Sequence, residues 1–427
     1  MKKILTLAVL LITALTISAQ NFAEHFSDST LRIDYTFSGN VKEQRISVDK
    51  LNKMPHWYGK KKNLSSTPVE GNGQITVRDH ASGDIIYKNS FSTLFQEWLN
   101  YDEAKTTSKS FENVFLVPMP KNAVDVTVDL RNSRREIVCT FTHTVDPRDI
   151  LIRHVGEKHV TPYKTLQKPA DESKCVHISY VAEGYTKEEM PVFIKDAEIA
   201  MEALFEHEPF KSLRNRFFIT AVMSESEESG TSEPSKGIWK KTALSSHFDT
   251  FYSNRYLTTL NIKDLHDVLA GTPYEHIIVL VNTDQYGGGG ILNSYNLSMT
   301  HDKYYKQVVV HEFGHSFAGL ADEYAYEFEQ LPFYHSDVEP WEPNITTLAD
   351  FKGKWEDMIE KGTPVPTPLS KDAETINSRV GLFEGAGYSL KGVYRGVQDC
   401  RMRTNSTPYF CPVCRRAIEN VIKFYTE

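Results

Sequence analysis

Residues 304–318 read YYKQVVVHEFGHSFA, and apolar side chains recur through this segment at the spacing of a helix. Asp302 stands just before the segment and is a suitable helix cap. His311 and His315 are four residues apart, so on a helix they project from one face about one turn apart. Two imidazoles so placed can bind one zinc ion, and Glu312 beside them can act as a general base on water. The segment therefore predicts a catalytic zinc site.

The same segment also fits an amphipathic helix that carries two histidines at the protein surface. Val308 to Val310 and Phe313 argue against that interpretation, because they make the helix apolar nearly all round. Such a helix would bury part of a glutamate flanked by histidines. That burial is unfavourable unless a metal or a partner compensates the charge. The pattern thus favours the zinc site.

A catalytic zinc ion needs a third protein ligand and an open position for water. In many zinc peptidases the helix ends at a glycine, and the third ligand follows three residues later. Gly319 and Asp322 have that spacing, although three residues separate His315 from Gly319 where the usual pattern has two. Asp322 is therefore the predicted third ligand. Glu323 is its rival, and a ligand from elsewhere in the chain stays open.

The segment Cys400-Arg401-Met402-Arg403 is a candidate for the methionine turn that metzincin peptidases place beneath the metal. Met402 would lie under the site, and ordinary core packing is the alternative role for its side chain. Residues 413–425 are predicted to form the helix that closes the fold. The sequence up to Tyr324 and the sequence from Cys400 are thus expected to meet at the metal.

An odd number of cysteines leaves at least one thiol unpaired even if disulfides form. The spacing of the last two occurs in redox and structural zinc motifs, but the second pair of a zinc ribbon is missing. We expect a disulfide from the first residue of the methionine turn to one of the last two, tying that turn to the last helix. The cysteines are Cys139, Cys175, Cys400, Cys411 and Cys414.

Four consecutive glycines, residues 287–290, precede the histidine-bearing segment. No Lys-Ser or Lys-Thr follows them, so they do not form a phosphate-binding loop. Glycines permit close backbone approach, and an edge strand here could pair with an extended peptide. A flexible loop is the other interpretation, and the sequence leaves both open.

The chain divides into three parts by composition and pattern. Residues 1–19 have two lysines, an apolar run and a small-residue cleavage site, which predicts a removed signal peptide and therefore export to the periplasm or the extracellular space. Short alternating segments in residues 20–150 predict an antiparallel β-sandwich. Strands alternate with helices in residues 151–427, where Thr186 and Glu189 form a capping box. The fold class is α+β, with a metzincin-like α/β domain as the second part.

The overall charge and hydropathy exclude two classes of function. The formal net charge is -8 and no long basic run occurs, which argues against nucleic acid as a partner. No later stretch approaches the ~18 apolar residues that a membrane span requires. The sequence does not predict an oligomeric state.

Several motifs together make the chain resemble the immunoglobulin-A peptidase family of secreted bacterial zinc metallopeptidases. The resemblance implies a zinc endopeptidase that takes protein or peptide substrates, but not that this chain cleaves immunoglobulin A. A zinc amidase acting on cell-wall or glycan-linked substrates, and a binding protein with a vestigial metal site, are the alternatives. The matching stretches are residues 229–231, 242–244, 255–257, 287–290, 311–324, 381–388, 394–395 and 400–414.

Overall fold

The structure is a computed structural model that describes residues 21–327, 333–376 and 378–427. The predicted signal peptide lies outside these residues. The structure is mixed α/β with several separate sheets, as the sequence predicts at that level. None of the described helices is long and apolar enough to cross a membrane.

The N-terminal region, residues 21–154, is built from two four-stranded sheets, with strand orders β5-β1-β2-β8 and β4-β3-β6-β7. All neighbours pair antiparallel except β2 and β8. The elements are α1 (Phe22–His25), β1 (Phe26–Gly39), β2 (Gln44–Pro55), β3 (Gly73–Asp79), β4 (Ile85–Phe91), α2 (Leu94–Trp98), β5 (Lys109–Pro120), β6 (Val124–Arg131), β7 (Ile137–Val145) and β8 (Arg153–His154).

The two sheets of the N-terminal region contact each other through their apolar faces. Strand β6 alternates strictly between buried and half-buried residues, as expected for a strand with one covered face. The rings of Phe91 in β4 and Phe115 in β5 lie 4.3 Å apart, one from each sheet. Side chains of both sheets therefore share a single core.

The C-terminal region, residues 163–427, has a six-stranded sheet of order β13-β14-β12-β10-β11-β9 and a three-stranded sheet of order β15-β17-β16. The inner strands of the large sheet are parallel, and the edge strands β9 and β13 are antiparallel to their neighbours. The elements are β9 (Tyr163–Gln167), β10 (Val176–Glu183), α3 (Met190–Phe205), β11 (Phe217–Val222), α4 (Ile262–Leu269), β12 (His276–Val281), β13 (Gly288–Ile291), β14 (Tyr295–Met299), α5 (Tyr305–Ala318), β15 (Ile345–Thr346), α6 (Ala373–Ile376), β16 (Phe383–Ala386), β17 (Ser389–Arg395) and α7 (Pro412–Thr426).

Every residue of β10, β11 and β12 is buried. Helices α3, α5 and α7 cover one face of the parallel sheet, and the other face belongs to the core that also contains the N-terminal sheets. The capping box predicted at Thr186 and Glu189 is present just before α3. Helix α5 packs against α3, α7 and strands β13 and β14. This packing fixes the histidine-bearing helix between the sheet and the rest of the core.

The two regions are joined by buried polar contacts as well as by apolar ones. The guanidinium of Arg32, 1% exposed, donates to Asp34 at 2.7 Å and to Asp267 of α4 at 2.5 Å. Arg32 also donates to the backbone carbonyl of Lys263 at 3.1 Å. A buried arginine with all these partners anchors the N-terminal region to α4, since each lost partner would leave an unpaired group.

Candidate active site

Helix α5 carries His311, Glu312 and His315, and it ends at Gly319. The C-terminal cap at Gly319 has φ of 61°, a left-handed conformation that glycine adopts without strain. The turn reverses the chain and returns Asp322 to the histidines. The predicted glycine turn therefore positions the acidic residue, despite the extra residue before it.

Three ligand atoms converge at this point. The Oδ1 atom of Asp322 lies 3.0 Å from Nε2 of His311 and 3.3 Å from Nε2 of His315. The two Nε2 atoms are 3.0 Å apart. Tetrahedral zinc with metal–ligand bonds near 2.0–2.2 Å holds such atoms roughly 3.3 Å apart. The spacing and the chemistry of this donor set thus fit one divalent metal ion.

The remaining polar atom of each of these three residues has a partner of its own. Nδ1 of His311 lies 3.0 Å from the carbonyl of Arg401, and Nδ1 of His315 lies 2.5 Å from the carbonyl of Leu320. The hydroxyl of Tyr388 donates to Oδ2 of Asp322 at 2.7 Å. These contacts orient the rings and the carboxylate, so that the other nitrogens and Oδ1 point inward.

Burial and charge act in opposite directions on the protonation of these groups. Burial lowers the pKa of His315, but the charge of Asp322 and its hydrogen bond outweigh that effect and raise it to about 9. Burial raises the pKa of Asp322, but His315 and His311 together hold it well below its usual value. The protein thus concentrates negative charge beside two imidazoles, an arrangement in which a metal ion takes the place of a proton.

Glu312 lies beside the convergence point and against strand β13. Burial raises the pKa of Glu312, and the two histidines oppose that shift. A Cβ atom at Gly288 would lie 2.7 Å from Oε1 of Glu312, and one at Gly290 would lie 2.4 Å from its backbone oxygen. Gly288 and Gly290 are needed because α5 lies directly on the strand and leaves no room for side chains. The sequence alone did not reveal this reason for the glycines.

The glycine stretch is a strand at the edge of the sheet, not a flexible loop. Its outer side is hydrogen-bonded at both ends, so pairing with an extended peptide could involve only the middle of the strand and stays a prediction. Gly288 exchanges backbone hydrogen bonds of 3.2 Å with Arg255 and Leu257, and the carbonyl of Leu292 accepts one of 3.1 Å from Ser92.

Met402 is fully buried below α5. A Cβ atom at Gly314 would lie 2.8 Å from its sulfur, so the helix turn between His311 and His315 rests on the methionine. The backbone of the same segment bonds to the acidic segment, since the amide of Glu323 donates to the carbonyl of Met402 at 2.8 Å. The segment that ends at Tyr324 and the segment that begins at Cys400 thus contact each other beside the histidines, as predicted.

Glu323, the rival third ligand, points away from the histidines. Its Oε1 accepts from the thiol of Cys414 at 3.1 Å and from the amide of Asn344 at 3.0 Å. The prediction of a disulfide at Cys400 is wrong, because all five cysteines are free thiols in the structure. Cys400 and Cys414 have their sulfurs 3.8 Å apart, and three thiols and one carboxylate gather there in place of one bonded pair.

The convergence point opens into a cleft of about 680 Å³ whose walls come from both regions. Glu97 of α2 is the N-terminal residue that the sequence gave no reason to single out. Burial raises the pKa of Glu97 to about 7, and the hydroxyl of Tyr256, 2.6 Å from its Oε2, opposes that shift. The sequence could not indicate Glu97, because its contact with Tyr256 joins residues 159 positions apart and follows no local pattern.

A helix that presents two histidines and a glutamate to an open cleft, with an aspartate completing the donor set, belongs to a metallopeptidase. The sequence profile described as IgA Peptidase M64 matches residues 165–377 and 371–422, and the profile described as Peptidase M64 N-terminus matches residues 21–142. The chain therefore belongs to the IgA peptidase M64 family, and the resemblance stated from its motifs is confirmed.

Among solved structures, the chain is similar to one described as metalloproteinase-II from Bacteroides fragilis. The identity is 11%, the TM-score is 0.22, and the match covers 58% of this chain and 83% of that one. No curated protein matches the sequence.

Proposed function

We propose that this metallopeptidase is a zinc-dependent endopeptidase that hydrolyses peptide bonds in protein substrates. His311, His315 and Asp322 hold the zinc ion, and Glu312 is the general base. The observation that carries the proposal is the convergence of two Nε2 atoms and one Oδ1 atom, all within 3.3 Å of each other, beside Glu312 on an open cleft.

The chemistry divides between the metal and the chain. A zinc ion bound there supplies a Lewis acid and lowers the pKa of water near it. Glu312 accepts the proton of the attacking water, a task favoured by the burial that raises the pKa of this carboxyl. Glu312 then holds that proton beside the scissile bond and gives it to the leaving amine nitrogen. Tyr388 keeps Asp322 oriented throughout by its hydrogen bond to Oδ2.

We also propose that residues 20–150 form a β-sandwich domain and residues 151–427 a metzincin-like catalytic domain. The shared core of the two N-terminal sheets supports the first assignment. The position of Met402 against Gly314, under the helix that carries the histidines, supports the second. The leader-like composition of residues 1–19 supports export to the periplasm or the extracellular space.

The test compares the purified chain with Glu312→Gln, using metal analysis and hydrolysis of casein. We expect one zinc ion at the histidine site of both proteins and a decrease in kcat of roughly 10²–10⁴-fold in the variant, the usual contribution of a general base. Glu419→Gln is the matched control, because Glu419 lies on α7 and pairs with Lys423 at the surface. His315→Ala is expected to lose the zinc.

Two results would overturn the proposal. Hydrolysis of peptidoglycan fragments without hydrolysis of casein would point to the amidase. Full activity in Glu312→Gln would show that another residue is the base.

A further inference from the structure

A second group of metal-binding side chains lies behind the catalytic helix. It consists of Glu323, Cys400, Cys411 and Cys414, and we call it the cysteine–glutamate cluster. One ligand atom from each of the four lies within 4.8 Å of all the others, and all four residues are buried. The proposed mechanism gives these four residues no role.

The separation of two sulfurs in the cluster matches that of a four-coordinate metal site. The sulfurs of Cys400 and Cys414 are 3.8 Å apart, and the sulfur of Cys414 is 3.1 Å from Oε1 of Glu323. Tetrahedral zinc with Zn–S bonds near 2.3 Å holds two sulfurs roughly 3.8 Å apart. A disulfide would require a separation of roughly 2.05 Å. The thiols are thus spaced for a shared cation.

Backbone amides point at two of the sulfurs. The amide of Cys411 donates to the sulfur of Cys400 at 3.2 Å, and the amide of Cys414 donates to the sulfur of Cys411 at 3.4 Å. The second contact lies at the N-terminus of α7, where Cys411 is the cap. Helix N-termini and amide donors stabilise the thiolate form, which is the form that binds metals. Here they act against the burial of both sulfurs, which favours the neutral thiol.

The carboxylate of Glu323 is an independent indication that the cluster binds a cation. Glu323 is 0% exposed, and its Oε2 atom has no hydrogen-bond partner among the residues that the structure describes. The partners of Oε1 are the amide of Asn344 and the thiol of Cys414, neither of which carries a positive charge. An unpartnered carboxylate oxygen in the interior is costly unless a cation or proton neutralises it.

We propose that the cysteine–glutamate cluster binds a second divalent metal ion, with zinc as the ion that three thiolates and one carboxylate select. All four protein ligands are buried, so no position stays open for substrate and the site is structural. This inference does not depend on the chemistry proposed for the cleft.

The cluster is placed to hold the catalytic site in position. Glu323 follows Asp322 directly in the chain. Cys400 precedes Arg401, whose carbonyl lies 3.0 Å from Nδ1 of His311. A metal ion in the cluster therefore cross-links the segment of the third ligand, the methionine segment and the start of α7. We expect its loss to loosen the first metal site without removing any ligand from it.

The experiment counts metal ions in the purified chain and in two sets of variants. We expect two zinc ions per chain in the wild type, because each of the two clusters holds one. His311→Ala/His315→Ala is expected to retain one. After cobalt replaces zinc in that variant, we expect thiolate-to-cobalt charge-transfer absorption, which only sulfur ligands produce. This arm leaves the cysteine–glutamate cluster intact, so it remains informative if cysteine variants misfold.

The second arm uses Cys411→Ser/Cys414→Ser, with Cys139→Ser as the matched control. Cys139 lies in β7 outside the cluster, and its sulfur lies 3.5 Å from the carbonyl of Gln44. We expect the double variant to lose one metal ion and the charge-transfer band, and the control to lose neither. Two results would overturn the proposal: no metal ion in His311→Ala/His315→Ala, or a native mass of the wild type that is two hydrogens light, which shows a disulfide.

Discussion

Replacing Gly288 with alanine tests whether the position of Glu312 limits catalysis. The new Cβ atom would lie 2.7 Å from Oε1 and 2.9 Å from Cγ of Glu312, whereas ordinary contacts begin at 3.4 Å. The carboxylate must therefore move by at least about 0.7 Å, the difference between 3.4 and 2.7 Å. Because a displacement of about 1 Å can cost 10²-fold in rate, we expect kcat to decrease roughly 10- to 100-fold.

The same substitution should leave the metal site and the fold nearly intact. The carboxylate is the far end of a flexible side chain and can move aside, but Cγ of Glu312 and Cγ1 of Val308 lie 2.9 Å from the new Cβ atom and must shift as well. The cost in stability should therefore fall within the usual ~1–3 kcal/mol for overpacking. The assay measures kcat on casein, zinc content and the thermal midpoint for wild type, Gly288→Ala and Glu312→Gln.

Neighbouring glycines provide the controls. Gly289→Ala adds its methyl group on the other face of β13, 2.6 Å from the ring of Tyr256, so it disturbs packing without touching Glu312. Gly290→Ala would place Cβ 2.4 Å from a backbone oxygen of α5, and we expect it to lower stability more than Gly288→Ala. Equal losses of kcat in Gly288→Ala and Gly289→Ala, or loss of zinc from Gly288→Ala, would refute the reasoning.

Three further perturbations have defined outcomes. Tyr388→Phe removes the donor to Oδ2 of Asp322 and should weaken zinc affinity about 10- to 100-fold in chelator competition; unchanged affinity would contradict this. Arg32→Met leaves the carboxylate of Asp34, which is 2% exposed, buried without its cation and should cost about 3–5 kcal/mol in urea unfolding; a cost below 1 kcal/mol would contradict it. Burial lowers the pKa of His177 from 6.5 to about 4. Between pH 6.5 and pH 4 the unfolded chain therefore binds a proton that the folded chain does not bind, and the free energy of unfolding falls as the pH drops through this range. The loss of stability is on the order of 3 kcal/mol. Metal-free His177→Asn should lose less stability between pH 6.5 and pH 4 than the metal-free wild type. Equal losses would show that His177 does not cause the pH dependence.

Local patterns predicted the parts of the site that lie close together in the chain. Helical periodicity and the spacing of His311 and His315 place both imidazoles on α5, and the glycine turn returns Asp322 to them. The capping box before α3 follows equally from neighbouring residues. At these positions, backbone geometry alone decides which side chains meet.

Contacts between distant segments could not be derived in this way. Glu97 reaches the cleft only because the N-terminal region docks on the catalytic side, and Glu323 turns away from the histidines because Cys414 lies behind it. The cysteine pairing expected from spacing was wrong for the same reason. Which of several thiols meet depends on how α7 packs, and sequence separation does not encode that packing.

The shared walls of the cleft have a consequence for how specificity can change. Gln96, Glu97 and Arg131 line the cleft from the N-terminal region, whereas the proposed metal ligands and base all come from the C-terminal region. Substitutions in α2 or at the end of β6 can therefore alter which side chains a substrate meets while the chemistry stays constant. In family members with this arrangement, substrate range and catalytic power can diverge independently, and chimaeras that exchange only the N-terminal region would transfer preference without transferring the catalytic residues.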